Sequence, residues 1–198
     1  MTLLLNDDQR EFQHTLRSVF EKQADSKRVR AVQAAGTDFD REAWAALVEL
    51  GATTTLIPEE FDGLGLGLTE ASLVLEEAGR AIAPVPLYSA ILGAAAISAT
   101  DDDALKAELL PKIAAGEVLV ALAFTEAADA WIPTRPQVVA TADGVTGTKT
   151  FVRDGQFADL LLVLTASGLV LVDANAEGVT RTPLGVLDAS VFAARVEF

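Results

Sequence analysis

The spacing of apolar residues changes once along the chain, near position 117. Before that point they recur every three or four residues, which places them on one face of a helix. In the first such segment Phe12, Leu16 and Phe20 share a face. Asn6 and Gln9 have the spacing of a capping box, in which each side chain accepts from the other residue's backbone N–H. The pattern therefore predicts a helix that begins just after Asn6.

Four more helices are predicted before the change. They cover 40–50, a stretch from the N-cap Thr69 to about Gly79, 87–99 and 101–116. Gly51 is the expected stop of the first of these four. The acidic run Asp101 to Asp103 favours the positive end of a helix dipole, so it indicates a helix start rather than a metal site.

After position 117 the apolar residues form short runs that are typical of strands. The runs are VLVALAF, QVVATA, VTGTKTFV, FADLLLVL, GLVLVDA and VFAARVEF. Asp143-Gly144 and Ser167-Gly168 lie between runs, where hairpin turns are expected. The last run alternates up to Phe198 without a following turn, so we expect the natural chain to continue beyond it.

This organisation predicts an α+β fold with two domains. An all-α helical domain, residues 1–117, is expected to precede a β-barrel or sandwich-like middle domain, residues 118–198, that is truncated at its C-terminal end. The length of 198 residues suits one to two domains. With 51% hydrophobic and 22% charged residues, the chain can form a substantial core.

Charge and residue content exclude several functions. Fifteen basic and 29 acidic residues give a formal charge of −14, whereas a nucleic-acid partner needs a basic surface. The sequence has no cysteine, which removes thiolate catalysis and most structural zinc sites, and its one histidine, His14, lies off the apolar helix face. We find no membrane span and no signal peptide, so a cytoplasmic protein is expected. Chemistry must then come from carboxylates, hydroxyls, backbone groups or a cofactor.

A glycine run, Gly63, Gly65 and Gly67, precedes the third predicted helix, which is where phosphate loops often lie. The spacing is G-x-G-x-G rather than G-x-G-x-x-G, and the flanking segments are helical rather than a parallel strand. The run also lacks the lysine followed by serine or threonine of a P-loop. We therefore interpret it as a tight connection between helices.

The surroundings of this run resemble the N-terminal helical domain of the acyl-CoA dehydrogenase family. The matching motifs are Leu50-Gly51, Pro58-Glu59-Glu60, Phe61, Gly63-Leu64-Gly65 and Glu76-Glu77-Ala78-Gly79-Arg80. Further along, ELLPKIAAGEVLVALAFTEAAD is similar to the family's entry into its β-domain, and GVTGTKTFVRDGQFADLLLV to its Gly-x-Lys strand. The resemblance is collinear over essentially all 198 residues.

The resemblance implies removal of two hydrogens from an acyl-CoA thioester, with FAD as the cofactor that takes the hydride at N5. By position in the family motifs, the cofactor-binding residues are Leu122, Phe124, Thr125, Phe151, Val152 and Arg153. Thr125 is expected to donate its hydroxyl to the flavin, and Trp131 is a candidate substrate contact. No metal site is expected. The catalytic base is expected in a C-terminal helical domain that is absent from this sequence, so no catalytic residue is assigned in it.

Two departures from the family pattern bear on cofactor binding. Ala130 and Trp131 stand where a Gly-Ser pair follows the Thr-Glu segment, and Arg153 replaces a small hydroxyl residue. Arg153 then has two interpretations, a contact to a pyrophosphate or carboxylate and an exposed strand arginine.

Three functions stay open at this point. The first is part of a flavin-dependent acyl-CoA dehydrogenase, which is not expected to be active as these 198 residues alone. The second is a non-catalytic, flavin-degenerate subunit of a heteromeric acyl-CoA dehydrogenase, and the third is an assembly scaffold without ligand. The partners that the resemblance implies are acyl-CoA, an electron-transfer flavoprotein or similar acceptor, and further subunits in a homo- or hetero-oligomer.

Overall fold

The computed structural model describes residues 4–36, 38–127, 134–188 and 190–198. The chain separates into two compact units, Met1–Glu117 and Val118–Phe198. The described part of the first unit is helical and that of the second is built from strands, which confirms the predicted α+β fold. No helix within the described ranges combines the length and apolar character needed to cross a bilayer.

The first unit contains a 3₁₀ turn at Glu59–Phe61 and a set of α-helices. The helices are α1 Asp7–Gln23, α2 Ser26–Ala35, α3 Arg41–Glu49, α4 Leu68–Ala81, α5 Leu87–Ser98 and α6 Asp103–Ala114. The predicted capping box at α1 is present, because Gln9 N–H donates to Asn6 Oδ1 at 2.8 Å and Asn6 N–H to Gln9 Oε1 at 3.0 Å. The buried core of this unit includes Leu16 and Phe20 on α1, Leu47 on α3 and Val74 on α4.

Two details of the helices differ from the sequence predictions. Helix α2 was not predicted; it begins after the N-cap Asp25 and ends at Gly36, whose φ of 63° suits glycine. The predicted N-cap Thr69 is wrong, because α4 begins at Leu68 and its N-cap is Gly67, two residues before Thr69. The Glu70 carboxylate accepts the Gly67 N–H at 3.0 Å, which is the bond that the third helical residue makes in a capping box.

The glycine run packs back onto the chain that precedes it, in agreement with its interpretation as a tight connection. Gly65 N–H donates to Ile57 O at 2.9 Å, and Leu66 N–H donates to Thr55 O at 2.9 Å. A Cβ atom at Gly63 would lie 1.9 Å from the Ile57 carbonyl oxygen. Glycine is therefore required at position 63 by the closeness of two backbone segments.

The described part of the second unit contains three small sheets. Its strands are β1 Val120–Ala123, β2 Val139–Thr141, β3 Gly144–Thr146, β4 Thr148–Arg153, β5 Leu160–Thr165, β6 Gly168–Asp173, β7 Thr180–Pro183 and β8 Ala193–Glu197. The sheet orders are β1-β5-β6, β2-β3 and β4-β8-β7. The β2-β3 and β5-β6 hairpins turn at Ala142-Asp143 and Ala166-Ser167, one residue before the predicted dipeptides Asp143-Gly144 and Ser167-Gly168. Strand β7 was not predicted.

Both three-stranded sheets contribute to one core. Strands β1 and β5 pair in parallel and supply Ala121, Ala123, Leu161 and Val163, while β4 and β8 are antiparallel. The core residues from β4 and β8 are Val152, Ala194 and Val196. Because side chains of the two sheets meet in this cluster, the unit has the sandwich-like arrangement that we predicted.

Candidate functional site

The predicted cofactor segments, 122–125 and 151–153, lie next to each other in the β unit. Residues 124 to 126 directly follow β1, and the Thr150 N–H on β4 donates to Thr125 O at 2.9 Å. This bond brings Thr125 beside Phe151, although Thr125 and Thr150 are 25 positions apart in the sequence. Phe124 and Thr125 are half-buried.

Phe151 is held in an unusual conformation at the middle of β4. The pairing of β4 with β8 shifts by one residue between Lys149 and Val152, which is a β-bulge. Phe151 lies in this bulge with a φ of 49°, and its side chain is 50% exposed. A left-handed φ at a bulky residue costs of order 1–2 kcal/mol. Such strain with an exposed aromatic ring points to a functional contact.

A buried ion pair lies beneath these two segments. Lys149 on β4 donates to Glu126 Oε1 at 2.6 Å and to Phe124 O at 3.2 Å. Lys149 is fully buried and Glu126 is 7% exposed. Glu126 also accepts the backbone N–H groups of Gln137, at 2.9 Å, and Val138, at 3.2 Å.

The bonds to Glu126 keep its carboxylate ionised. Burial raises the pKa of Glu126, but the Lys149 ammonium and the Gln137 and Val138 N–H groups together outweigh burial. The pKa of Glu126 therefore lies below its ordinary value. Its charge is fully engaged in structure, so Glu126 is a poor candidate for a catalytic base.

The remaining predicted residues have different surroundings. Leu122 lies in β1 between two core residues and is partly exposed on the opposite face of the sheet. The Val152 side chain is buried in the β core at 1% exposure, so it supports the site from beneath. Trp131 and Ala130 lie outside the described residues.

Arg153 lies at the end of β4 among acidic side chains. Its side chain is 46% exposed, and its Nε is 4.0 Å from the buried Asp154 carboxylate. Asp188 also interacts with Arg153, although the lowered pKa of Asp188 arises first from its bonds to Ser190. These carboxylates offset the charge of Arg153, which weakens its role as a strong anion site.

Sequence reasoning did not place Glu126 and Lys149 in the site. Both were visible as part of the Thr-Glu and Gly-x-Lys motifs, but neither was assigned a role. The available signal was a lysine within a strand run and a glutamate directly after an apolar strand, since buried charges need a partner. Within the described ranges no group of three or more His, Asp or Glu side chains could hold a metal ion.

Comparison with known proteins identifies the family of this chain. Residues 6–117 match the family model "Acyl-CoA dehydrogenase, N-terminal domain", which covers more than half of the chain. The chain therefore belongs to the acyl-CoA dehydrogenase family, whose members are oxidoreductases. The resemblance drawn from the motifs is confirmed.

Individual relatives agree with this assignment. "Acyl-CoA dehydrogenase FadE28" of Mycobacterium tuberculosis is 34% identical over 144 residues, which are 71% of this chain and 42% of that protein. A chain of the ChsE4-ChsE5 complex from M. tuberculosis is 25% identical with a TM-score of 0.86, covering 100% of this chain and 55% of its own length. The "Tcur3481-Tcur3483 steroid ACAD G363A variant" is 29% identical with a TM-score of 0.84, covering 97% and 55%. The chain thus spans about half the length of the proteins it matches, or less.

Proposed function

We propose that this chain forms one side of the FAD site of an enzyme that oxidises an acyl-CoA thioester between its α and β carbons. The observation that carries the proposal is the hydrogen bond between Thr150 N–H and Thr125 O. It brings the two sequence segments with cofactor motifs together and leaves the Phe151 ring half-exposed beside them. Family membership supports the same chemistry.

The residues of this site fit a flavin. An isoalloxazine ring has flat apolar faces and a polar edge, so it needs an apolar surface and nearby hydrogen-bond donors. The half-exposed ring of Phe151 offers that surface, and the half-buried Thr125 offers a hydroxyl. When bound, FAD supplies the hydride acceptor of the reaction.

Each side chain then has a separate task. Thr125 donates to the polar edge of the cofactor, and Phe151 packs against its ring. Phe124 and Leu122 shield the adjacent face from water, and Val152 supports Phe151 from the core. We assign Trp131 to the acyl-CoA side by its place in the motif.

We assign no catalytic base in this chain. Removal of the α proton requires a carboxylate near the substrate, and Glu126 is bonded to Lys149 and to two backbone N–H groups. Since the matched structures are longer than this chain, we propose that the base comes from sequence beyond these 198 residues. An electron-transfer flavoprotein or similar acceptor in the cytoplasm would reoxidise the flavin.

A second function is favoured by the departures at Arg153 and at Ala130 and Trp131. Here the chain is a flavin-degenerate subunit that pairs with a flavin-binding subunit of the same family. Two relatives support a pairing of unlike chains, because they are described as the ChsE4-ChsE5 complex and as Tcur3481-Tcur3483. A partly exposed arginine at position 153 replaces the small residue of the family pattern, which favours this second function.

The test is the visible absorption spectrum of the complete protein, purified with any partner that remains bound. We expect a flavin band, and bleaching of that band when acyl-CoA is added without oxygen. Thr125→Val should weaken FAD binding by about tenfold, since one hydrogen bond to a bound ligand is lost. Thr182→Val, which changes an exposed threonine on β7, is the matched control and should leave FAD binding unchanged.

Other outcomes separate the remaining functions. A protein that stays colourless after incubation with FAD contradicts the first proposal. If the flavin stays with a co-purified unlike family member when the two subunits are separated, and this chain alone remains colourless with FAD, the second function holds. A colourless chain that has no such partner leaves only the third function, an assembly scaffold without ligand. Straight-chain and steroid acyl-CoA thioesters should both be assayed, since one related structure is described as a steroid ACAD.

A further inference from the structure

The buried pair of Lys149 and Glu126 ties together the two segments that carry the proposed cofactor contacts. Lys149 belongs to β4, two residues before Phe151. Its ammonium bonds Phe124 O on one side of Thr125 and the Glu126 carboxylate on the other, at 3.2 and 2.6 Å. One side chain thus holds both neighbours of Thr125 against β4.

The carboxylate extends this connection to a third segment. Glu126 Oε2 accepts Gln137 N–H and Glu126 Oε1 accepts Val138 N–H, just before β2. The Glu126 side chain therefore bonds residues of β4 and residues that lead into β2. Three stretches of chain that are distant in sequence converge on two charged groups.

Stability alone is a weak reason to keep this pair. A buried ion pair loses the hydration of both charges, and an apolar pair of similar volume is often as stable. The best-attested use of such a pair is to select one register of the chain over others. Here the register matters, because a one-residue slip of a strand exchanges its buried and exposed side chains.

A slip of β4 would undo the proposed site. In the observed register Lys149 and Val152 are buried while Phe151 lies in the bulge and is half-exposed. A shift by one residue would take the ammonium of Lys149 away from Glu126 and turn the Phe151 ring toward the core. The position of the charge therefore penalises the registers in which Phe151 is hidden.

We propose that Lys149 and Glu126 are positioning residues that fix the register of β4 and thereby hold Phe151 beside Thr125 for the cofactor. This inference rests on the proposed FAD-binding function and assigns its site two residues that do not touch the ligand. Lys149 anchors the strand, and Glu126 anchors the segment that carries Thr125. When both residues are replaced by neutral ones, we expect the β unit to fold but not to keep Phe151 in place beside Thr125.

The experiment compares Lys149→Met, Glu126→Gln and the double variant with the wild type, all in the complete protein. Glutamine keeps one acceptor oxygen, for the N–H of either Gln137 or Val138, and methionine approximates the volume of lysine. Arg195→Met is the control, because it removes the cation of an exposed ion pair with Glu197 on β8 of the same sheet. The readouts are the thermal stability of the FAD-free protein, the FAD dissociation constant and the visible circular dichroism of bound flavin.

We expect the single variants to lose stability in the FAD-free state and the double variant to regain part of it, since neither charge is then buried alone. All three should bind FAD about 10- to 100-fold more weakly, with an altered dichroism band, because a loosened support misplaces the contact residues. Arg195→Met should change none of the three readouts. A double variant that recovers wild-type FAD affinity and dichroism along with stability overturns the inference, because the pair would then be structural only.

Failure of the proposed function gives a different result. A wild-type protein that binds no FAD overturns that function, and this inference falls with it. A wild type that binds FAD as tightly as the double variant overturns only the inference. If the double variant does not fold, Glu126→Gln alone decides the matter, and wild-type FAD affinity in that variant contradicts a positioning role.

Discussion

Arg17 on α1 bonds both carboxylate oxygens of Glu77 on α4, at 2.6 and 3.0 Å. The two partners are unequally buried, since the Glu77 side chain is 1% exposed and that of Arg17 is 39% exposed. The hydrogen bonds and charge of Arg17 hold the pKa of Glu77 below its usual range. Helices α1 and α4 are therefore joined through a buried carboxylate whose charge is balanced by the partly exposed guanidinium of Arg17.

The first prediction concerns the asymmetry of this pair. Arg17→Met should lower the free energy of unfolding by more than Glu77→Gln does, because it leaves a buried carboxylate with the weaker support of Gln13 and of Arg80, whose Nε is 3.9 Å away. Glu77→Gln should lower the free energy of unfolding by about 1 kcal/mol. Water can hydrate the exposed end of the Arg17 guanidinium, which can still donate to the amide oxygen. Urea unfolding followed by helical circular dichroism measures both. If the two variants lose the same free energy of unfolding, the burial of Glu77 does not make its charge the more costly one to leave unpaired.

The second prediction compares two glycines of the helical unit. Gly63→Ala should lower the free energy of unfolding by about 2–3 kcal/mol, since its Cβ would overlap the Ile57 backbone. Gly79→Ala, within α4, should raise it by about 0.5–1 kcal/mol, because its Cβ has nothing within 4 Å and alanine favours a helix. Thermal melts of the two variants should shift in opposite directions. A shift in the same direction contradicts the close approach at Gly63.

The third prediction separates stability from binding at Phe151. Phe151→Gly should cost the FAD-free protein less stability than Leu169→Gly does, because relief of the left-handed backbone offsets the added flexibility of glycine. FAD affinity should fall at the same time, since the ring contact is lost. Leu169→Gly on β6 removes a side chain that is 54% exposed from a regular strand, and it should destabilise by about 0.5–1 kcal/mol. Chemical denaturation of both variants without FAD provides the comparison.

The fourth prediction follows from the lowered pKa of Glu126. The folded state holds this proton less tightly than the unfolded state does, so its stabilisation is present above the ordinary value of 4.5. It is lost as the pH falls through the lower folded-state pKa. Glu126→Gln should therefore be less stable than the wild type at neutral pH by about 3 kcal/mol, and this difference should shrink progressively below pH 4.5.

Hydrogen exchange of β4 and β8 amides measures this difference within the β unit. Glu197→Gln is the matched control, since the Glu197 carboxylate is 44% exposed in its pair with Arg195. Its difference from the wild type should stay small at every pH. A wild-type advantage over Glu126→Gln that grows in acid would reverse the sign that we assign.

Local signals were enough to predict most helices. The Asn6–Gln9 capping box and the apolar face of α1 are properties of neighbouring residues, and the structure contains both. Helix α2 escaped because only Val29 on it is buried, so its apolar stripe is too weak to detect. The true cap of α4 was missed because Glu70 supplies the bond from inside the helix, whereas we looked for a hydroxyl before it.

The candidate site was harder to predict, since it depends on contacts between distant residues. Motifs suggested Thr125 and Phe151 separately, but no local pattern specifies that Thr150 N–H bonds Thr125 O. The left-handed φ of Phe151 is equally invisible, because nothing in the residue type favours it. The partner of Lys149 became evident only from the fold, although its charge within a strand already required one.

The parallel pairing of β1 with β5 has a consequence for synthesis on the ribosome. Val120 to Ala123 pair with Leu160 to Val163, so β1 emerges about 40 residues before its partner strand. At ordinary translation rates that interval lasts roughly 2–8 s. During this time an apolar strand has an open hydrogen-bonding edge, although the chain of the helical unit has already been synthesised. The nascent protein is therefore open to misassociation through this edge until β5 has been synthesised, and a chaperone that covers β1 protects it during that interval.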